Sequence, residues 1–226
     1  MRKGQFFAIE GNDGSGKATQ TKLLEKRIEK EGYKVLCISF PEDKYNFLGK
    51  FIRECLNDES YNWRNQHPKI ASALYAADRW ESSALIKAHL DAGFIVLSDR
   101  YTASNQIHQG GKISDDNERD SFVSWIDDLE YKVFQIPKPD MTIYLNVPLS
   151  ISEELLKKRY LSGGKLDEHE KDPDFLRNSK ITGDWLAERQ DNWIEVNCAP
   201  TGTMRSPEDI NHEIYENIKP LLALME

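Results

Sequence analysis

One stretch decides the fold: Gly11-Asn12-Asp13-Gly14-Ser15-Gly16-Lys17-Ala18-Thr19-Gln20, or GNDGSGKATQ. It matches the phosphate-binding pattern G-x-x-x-x-G-K-[ST] until the last position, where Ala18 stands and the hydroxyl follows one residue later on Thr19. The loop follows the apolar run 6–10 and precedes a helical pattern that ends at Gly32. Because glycine backbone amides and a helix N-terminus together bind phosphate, this order predicts a nucleotide phosphate site rather than a structural turn.

Four further apolar runs follow along the chain, and longer helical patterns separate them. All five runs are nearly continuous, which is typical of strands covered on both faces of a parallel sheet. This alternation predicts an α/β fold with a doubly wound five-stranded parallel sheet flanked by helices, and a single domain over residues 1–226. The polar stretch 162–179, with Gly163-Gly164, is interpreted either as a mobile segment or as a plain solvated loop. The later runs are 34–39, 94–98, 141–146 and 193–197, and the other helical patterns cover 68–92 and the residues after Ser206.

The composition excludes several classes of protein. A net charge of −8 and a pI near 5.3 argue against a nucleic-acid-binding surface, which needs a basic stripe. No apolar run approaches the roughly 20 residues of a membrane span, and the N-terminal apolar run is too short for a signal peptide. Three widely spaced cysteines indicate reduced thiols and a cytoplasmic protein, and no CxxC or HExxH spacing indicates a structural zinc.

The chain resembles the thymidylate kinase family in several motifs, in their order and in their spacing. The motifs are DGSGK-x-TQ in the loop, FPE at 40–42, LYAADRWE at 74–81, DRYTASN at 99–105 and SPEDINHEI at 206–214. A glycine loop alone is weakly specific, whereas these motifs together are much more so. The resemblance implies a P-loop kinase fold with a lid at about 157–179, transfer of the γ-phosphoryl group of ATP to dTMP, and a homodimer.

The resemblance also implies roles for individual residues. ATP would lie against residues 11–19, with Lys17 on its β- and γ-phosphates. Arg79 and Arg100 would grip the acceptor phosphate, as forked guanidinium groups do, and Tyr75 would stack on thymine. The catalytic cations would be Lys17, Arg100, Arg159 and Lys165, and the dTMP contacts would be Asp13, Phe40, Pro41, Arg53, Tyr75, Arg79, Arg100, Ser104, Asn105 and His108.

Some residues depart from the family pattern. Ala18 lacks the hydroxyl that normally binds the Mg²⁺ of the nucleotide, so Asp99 and water are expected to hold the cofactor more weakly. The lid is poor in arginine, Asp43 stands where some relatives carry an arginine, and His108 stands where a large aromatic side chain is common near the sugar. Three hypotheses therefore stay open: an active thymidylate kinase, a kinase for another deoxynucleotide or nucleoside, and a non-catalytic nucleotide-binding homologue.

The substitution Ala18→Ser tests the interpretation of the loop. It is expected to raise dTMP-dependent ADP formation at limiting Mg²⁺, because the new hydroxyl supplies the missing metal ligand. Initial rates measured over a series of Mg²⁺ concentrations check this. The wild type is the reference, because its Thr19 hydroxyl, one residue further along the helix, is turned by about 100° and cannot replace the missing ligand. An unchanged Mg²⁺ dependence in Ala18→Ser would contradict the interpretation.

Overall fold

A five-stranded sheet forms the centre of the molecule. The computed structural model describes residues 3–164, 167 and 169–225 of the chain, so the predicted lid residue Lys165 lies outside the described residues. The strand order is β2-β3-β1-β4-β5 and all four neighbouring pairs are parallel, which confirms the predicted sheet. The strands are β1 (Phe6–Gly11), β2 (Val35–Ser39), β3 (Ile95–Asp99), β4 (Met141–Asn146) and β5 (Trp193–Asn197).

Helices cover both faces of this sheet. On β1, Phe7 and Ile9 pack in the cluster that contains α1 and α8, whereas Phe6 and Ala8 pack in the cluster that contains α3. All four side chains are fully buried, as their apolar run predicts. The helices are α1 (Lys17–Lys30), α2 (Phe47–Asn57), α3 (Pro68–Asp91), α4 (Thr102–Gly110), α5 (Asp116–Asp127), α6 (Leu149–Leu161), α7 (Pro173–Ala187) and α8 (Pro207–Ala223).

The polar stretch 162–179 is only partly a loop, and the solvated-loop interpretation was wrong for its second half. Residues 173–179 form the first turns of α7, where Asp172 caps the helix by accepting hydrogen bonds from the backbone N–H groups of Asp174 and Phe175. The sequence carried this start signal, since Pro173 at the first helical position follows a capping aspartate. Burial of Phe175 and Leu176 then anchors the helix against the rest of the protein.

The parallel sheet brings the loops after β1 and β3 together. Ile9 on β1 lies beside Asp99 on β3, so both strands end at the same edge of the sheet. The backbone N–H of Arg100 donates to the Ile9 carbonyl at 3.0 Å, and that of Phe40 donates to the Asp99 carbonyl at 3.1 Å. Residues from three separate motifs therefore meet at this edge, which is where open α/β sheets bind ligands.

Among the helices that the structure describes, none combines the length and the apolar character that crossing a membrane requires.

Candidate active site

The glycine loop depends on backbone conformations that side chains disfavour. Gly14 has φ of 81°, and a Cβ at this position would lie 2.5 Å from the carbonyl oxygen of Ser152 on α6. A side chain at position 14 would therefore meet both backbone strain and a collision with α6. The loop therefore adds no arginine at this position, and the arginines that line the site come from other segments.

Lys17 is folded into the loop that it terminates. Its ammonium group donates to the carbonyls of Gly11 at 3.0 Å and Asn12 at 2.8 Å, and its side chain is 7% exposed. Burial, assisted by the positive charge of Arg100, lowers the pKa of Lys17 to about 8, although nearby carboxylates oppose the shift. Because carboxylates already counteract the lowering of this pKa, a further anion bound beside Lys17 is expected to raise it.

The same loop contains buried polar atoms that lack partners. Both side-chain polar atoms of Asn12 and the hydroxyl of Ser15 find no hydrogen-bond partner among the described residues. Unpaired buried polar groups are costly and therefore uncommon in folded proteins. Their concentration in this loop is the arrangement expected where a polar ligand completes the structure.

Arg100 joins the glycine loop to the turn after β3. Its guanidinium forms an ion pair with Asp13 and donates from Nη1 to His108 Nε2 at 2.8 Å. Burial alone would raise the pKa of Asp13, but Arg100 and then Lys17 outweigh it and hold that pKa below its usual value. Arg100 has φ of 69°, an uncommon conformation for a residue other than glycine, so the fold fixes its backbone as well as its side chain.

A carboxylate that sequence reasoning missed supports this turn. Glu10 on β1 is fully buried and accepts hydrogen bonds from the backbone N–H of Tyr101 at 2.6 Å and from the hydroxyl of Ser104 at 2.6 Å. Burial raises the pKa of Glu10 although these donors favour the carboxylate. The signal was present in the sequence, because Glu10 is the one charged residue in the apolar run 6–10.

Motif carboxylates also hold the loop after β2. Asp78 accepts from the backbone N–H of Glu42 at 3.1 Å and from the side-chain amide of Asn46 at 2.7 Å. Glu81 accepts from the backbone N–H groups of Phe47 at 2.7 Å and Leu48 at 3.3 Å, so it caps α2 from a neighbouring helix. These contacts place Phe40 and Pro41 beside α3, although the two motifs are far apart in the sequence.

Arg79, which was predicted to grip the acceptor phosphate, is paired with a carboxylate of the protein. It is 1% exposed, and its Nε and Nη2 atoms both donate to the Glu130 carboxylate at 2.6 Å. Glu130 also accepts from Thr102 at 2.8 Å and from the Asn105 side chain at 3.1 Å. The charge of Arg79 is therefore already neutralised, because a guanidinium at this depth needs a counter-ion. No motif pointed to Glu130, which lies 51 residues away in the chain.

These elements enclose one cavity with a volume of about 490 Å³. All ten residues predicted to contact the acceptor line it, together with Lys17, Asp99 and Arg159. Ala18 and Thr19 reach its wall, whereas Gly11, Asn12 and Ser15 lie behind it in the loop. The volume is within the range of small-ligand sites, roughly 300–1,000 Å³. The structure thus brings all ten predicted acceptor contacts and most of the predicted ATP-binding loop to a single space.

The described part of the lid contributes acidic side chains to this cavity. Arg159 forms an ion pair with Glu170 at 2.5 Å, and Glu170, Asp167 and His169 all line the wall. Burial, with Asp13 and Glu170 nearby, raises the pKa of Asp167 to about 6. This acidic face was not predicted from the sequence, where Arg159 and Lys165 were the lid residues that received a role. Lys165, the other predicted lid cation, lies outside the described residues.

His108 lies in α4 and lines the cavity, beside the other residues predicted to contact the acceptor. Arg100 can only donate, so Nε2 of His108 accepts, and Nδ1 carries the proton toward the hydroxyl of Ser179 at 3.0 Å. Burial and the neighbouring Arg100 lower the pKa of His108 well below its usual value. The imidazole is therefore neutral and fixed in one tautomer.

The arginine of α2 is also paired. Arg53 donates from Nε to Asp43 at 2.8 Å, and both side chains are partly exposed. Asp43 thus holds Arg53 at the cavity wall, which fits the interpretation that Arg53 takes the place of a missing arginine after the FPE motif.

A divalent cation fits this site only when a ligand supplies most of its oxygens. Among the described residues, no group of three His, Cys, Asp or Glu side chains could hold a metal ion. Asp99 offers one carboxylate at the cavity wall, and Ala18 offers no oxygen. One carboxylate suffices for Mg²⁺ that keeps water and binds phosphates.

Comparison with known proteins identifies the family. The thymidylate kinase family model matches residues 9–210. The chain belongs to the thymidylate kinase family.

Relatives in the thymidylate kinase family align over most of the chain. The thymidylate kinase of Thermosipho africanus is 34% identical over 193 residues, which cover 84% of this chain and 88% of the relative. A probable thymidylate kinase from Pyrococcus horikoshii is 34% identical over 219 residues, covering 96% and 97%. The structure of thymidylate kinase from Candida albicans agrees with this fold at a TM-score of 0.75, with 24% identity and coverage of 96% and 92%.

The buried pair between Arg79 and Glu130 predicts a large effect on stability. Glu130→Ala is expected to lower the free energy of unfolding by about 3–5 kcal/mol, because Arg79 is left charged and unpaired in the interior. Urea denaturation followed by circular dichroism measures this. The matched control is Asp128→Ala, which removes an exposed ion pair with Lys132 and is expected to change little. Equal decreases in the free energy of unfolding for the two substitutions would show that the buried pair stabilises the protein no more than the exposed pair does.

Proposed function

We propose that this protein transfers the γ-phosphoryl group of ATP to dTMP, giving dTDP and ADP. Membership of the thymidylate kinase family and the names of the aligned relatives support this function. The observation that carries it is the single cavity, whose wall contains both Lys17 of the glycine loop and the ten residues predicted to contact the acceptor. Donor and acceptor can therefore meet in one space.

The proposed reaction needs positioned cations more than covalent chemistry. An oxygen of the dTMP phosphate forms a bond to the γ-phosphorus, while the bond from that phosphorus to the bridging oxygen of ADP breaks. Lys17 moves from the carbonyls of Gly11 and Asn12 to the β- and γ-phosphate oxygens. Its positive charge then stabilises the charge that develops on the transferring group.

Arg100 is the proposed ligand of the acceptor phosphate. It lines the cavity, its backbone is fixed, and Asp13 and His108 orient its guanidinium from two sides. Its pKa is raised despite burial, because Asp13 and Asp99 lie close by, so it remains charged at every relevant pH. Arg79 acts at the cavity wall as a pair with Glu130, and Arg53 and Arg159 supply further positive charge at the rim.

Asp99 is the proposed protein ligand for Mg²⁺, through water or directly, with ATP phosphates as the other ligands. Such a cation supplies charge neutralisation across the β- and γ-phosphates. The absence of a hydroxyl on Ala18 makes this chain depend on Asp99 more than a loop that ends in Gly-Lys-Ser or Gly-Lys-Thr.

We further propose that residues 1–226 form one domain in which residues 157–179 act as the lid, and that the protein is a cytoplasmic homodimer. All three cysteines are free, which supports a reducing compartment. Large apolar side chains on α2 and α3 are exposed, as expected at an interface between two copies. They are Phe47, Ile70, Trp80 and Leu85.

An acceptor screen tests the proposed function. ADP formation is measured with dTMP, dUMP, other deoxynucleoside monophosphates and thymidine, each over a range of Mg²⁺ concentrations. We expect dTMP to give the highest kcat/KM. A different best acceptor would support the second hypothesis, and nucleotide binding without turnover on any acceptor would support a non-catalytic homologue.

The lowered pKa of Lys17 predicts proton uptake when ATP binds. Near pH 8 the free protein has lost about half of its Lys17 protons, whereas bound phosphates favour the charged form and raise the pKa. ATP binding is therefore expected to take up a fraction of a proton that grows as the pH rises from 7 to 9. Affinity should fall over the same range.

Isothermal titration calorimetry in buffers of different ionisation enthalpy measures the number of protons taken up. Lys17→Met serves as the control, because it keeps the length of the side chain and cannot bind a proton. The same uptake in Lys17→Met would assign the protons to another group.

A further inference from the structure

A buried indole on a short turn holds the aromatic side chain that faces the predicted thymine position. Trp63, on the 3₁₀ turn Trp63–Asn65, is 4% exposed and packs in a cluster with Ile52, Leu56 and Tyr75. Its Nε1–H donates to the Tyr75 hydroxyl at 3.1 Å, and the two rings meet edge to face with centroids 6.0 Å apart. Tyr75 lines the cavity, and Trp63 lies behind it.

This bond fixes the ring of Tyr75 in two ways. Edge-to-face packing limits rotation of the ring, and the indole N–H anchors the far end of the side chain. A phenylalanine at position 75 would keep the ring face but lose the anchor. The indole in turn depends on Tyr75, because a buried donor without an acceptor is costly. Trp63 and Tyr75 therefore form one unit.

The turn that carries Trp63 also contacts the end of the lid. Arg64 Nη1 lies 3.4 Å from a carboxylate oxygen of Asp172, the residue that caps α7, and Lys171 Nζ lies 3.5 Å from Glu59. The segment 59–65 thus bridges the wall of the cavity and the C-terminal part of the proposed lid.

We propose that Trp63 is a positioning residue that sets the affinity for the acceptor base by orienting Tyr75. This inference rests on the proposed function, since it assigns the Tyr75 face to the pyrimidine ring of a nucleoside monophosphate. The preorganised ring binds the flat base without first losing side-chain freedom, so the benefit appears in binding of the acceptor. The γ-phosphoryl transfer itself takes place elsewhere in the cavity, at Lys17 and Arg100.

The test is a cycle of four proteins: wild type, Trp63→Phe, Tyr75→Phe and the double variant. Trp63→Phe keeps an aromatic ring but removes the N–H donor together with the five-membered ring that carries it, whereas Tyr75→Phe removes only the acceptor. Each single variant is expected to raise the KM for dTMP roughly three- to ten-fold, while kcat and the KM for ATP stay within about two-fold. The double variant is expected to match the single ones, because both remove the same bond.

Trp125→Phe is the matched control, since Trp125 packs against Phe122 and Lys69 and does not line the cavity. Thermal unfolding of every variant separates loss of orientation from loss of the fold. Should Trp63→Phe not fold, Tyr75→Phe tests the same bond with the indole in place.

The outcomes separate the two levels of the proposal. A wild-type protein that phosphorylates no acceptor overturns the proposed function itself. An active wild type whose Trp63→Phe variant keeps its KM for dTMP overturns the positioning role alone. A double variant whose KM for dTMP rises by the product of the two single increases overturns it as well, because the two residues then contribute independently. So does a fall in kcat and a rise in the KM for ATP as large as the change in the KM for dTMP, because the substitution then acts on the structure in general.

Discussion

The ion pair between Arg100 and Asp13 links the two halves of the site. Asp13 belongs to the loop after β1, and Arg100 begins the turn after β3, so the pair closes the gap between two neighbouring parallel strands. Its geometry depends on the left-handed backbone of Arg100 and on Glu10, which binds the backbone of the same turn. Because both side chains are largely buried, the pair fixes the position of the loop after β1 relative to the turn after β3.

Several carboxylates, two of them in the motif at 74–81, hold other parts of the protein rather than face a ligand. Asp78 and Glu81 bind backbone groups of the loop and helix that follow β2, and Glu130 binds Arg79 together with the first turns of α4. The specificity of these motifs in the sequence therefore reflects two demands at once. One is the proposed contact with substrates, and the other is the holding of short loops by buried charges that are costly to leave unpaired.

The correct and the incorrect predictions have identifiable physical causes. The sheet followed from uninterrupted apolar runs, since strands buried on both faces leave no polar alternation. The motif resemblance predicted ten acceptor contacts, and all ten line one cavity, although they come from separate parts of the chain. The solvated-loop interpretation of residues 162–179 was wrong for 173–179, because the polar composition was given more weight than the capping signal at Asp172. The state of Arg79 was missed because its partner is distant in the chain.

The sequence by itself determined the five strands, three of the eight helices in the described part of the chain, the glycine loop and the family, because periodicity and local motifs are encoded in consecutive residues. Only the tertiary structure decided which charges are free and which are paired. It placed Glu130 on Arg79, Glu10 under the turn of Arg100, acidic side chains on the lid and Trp63 behind Tyr75. Such pairings depend on packing between elements that are remote in sequence, and burial then sets the energy of every charge among them.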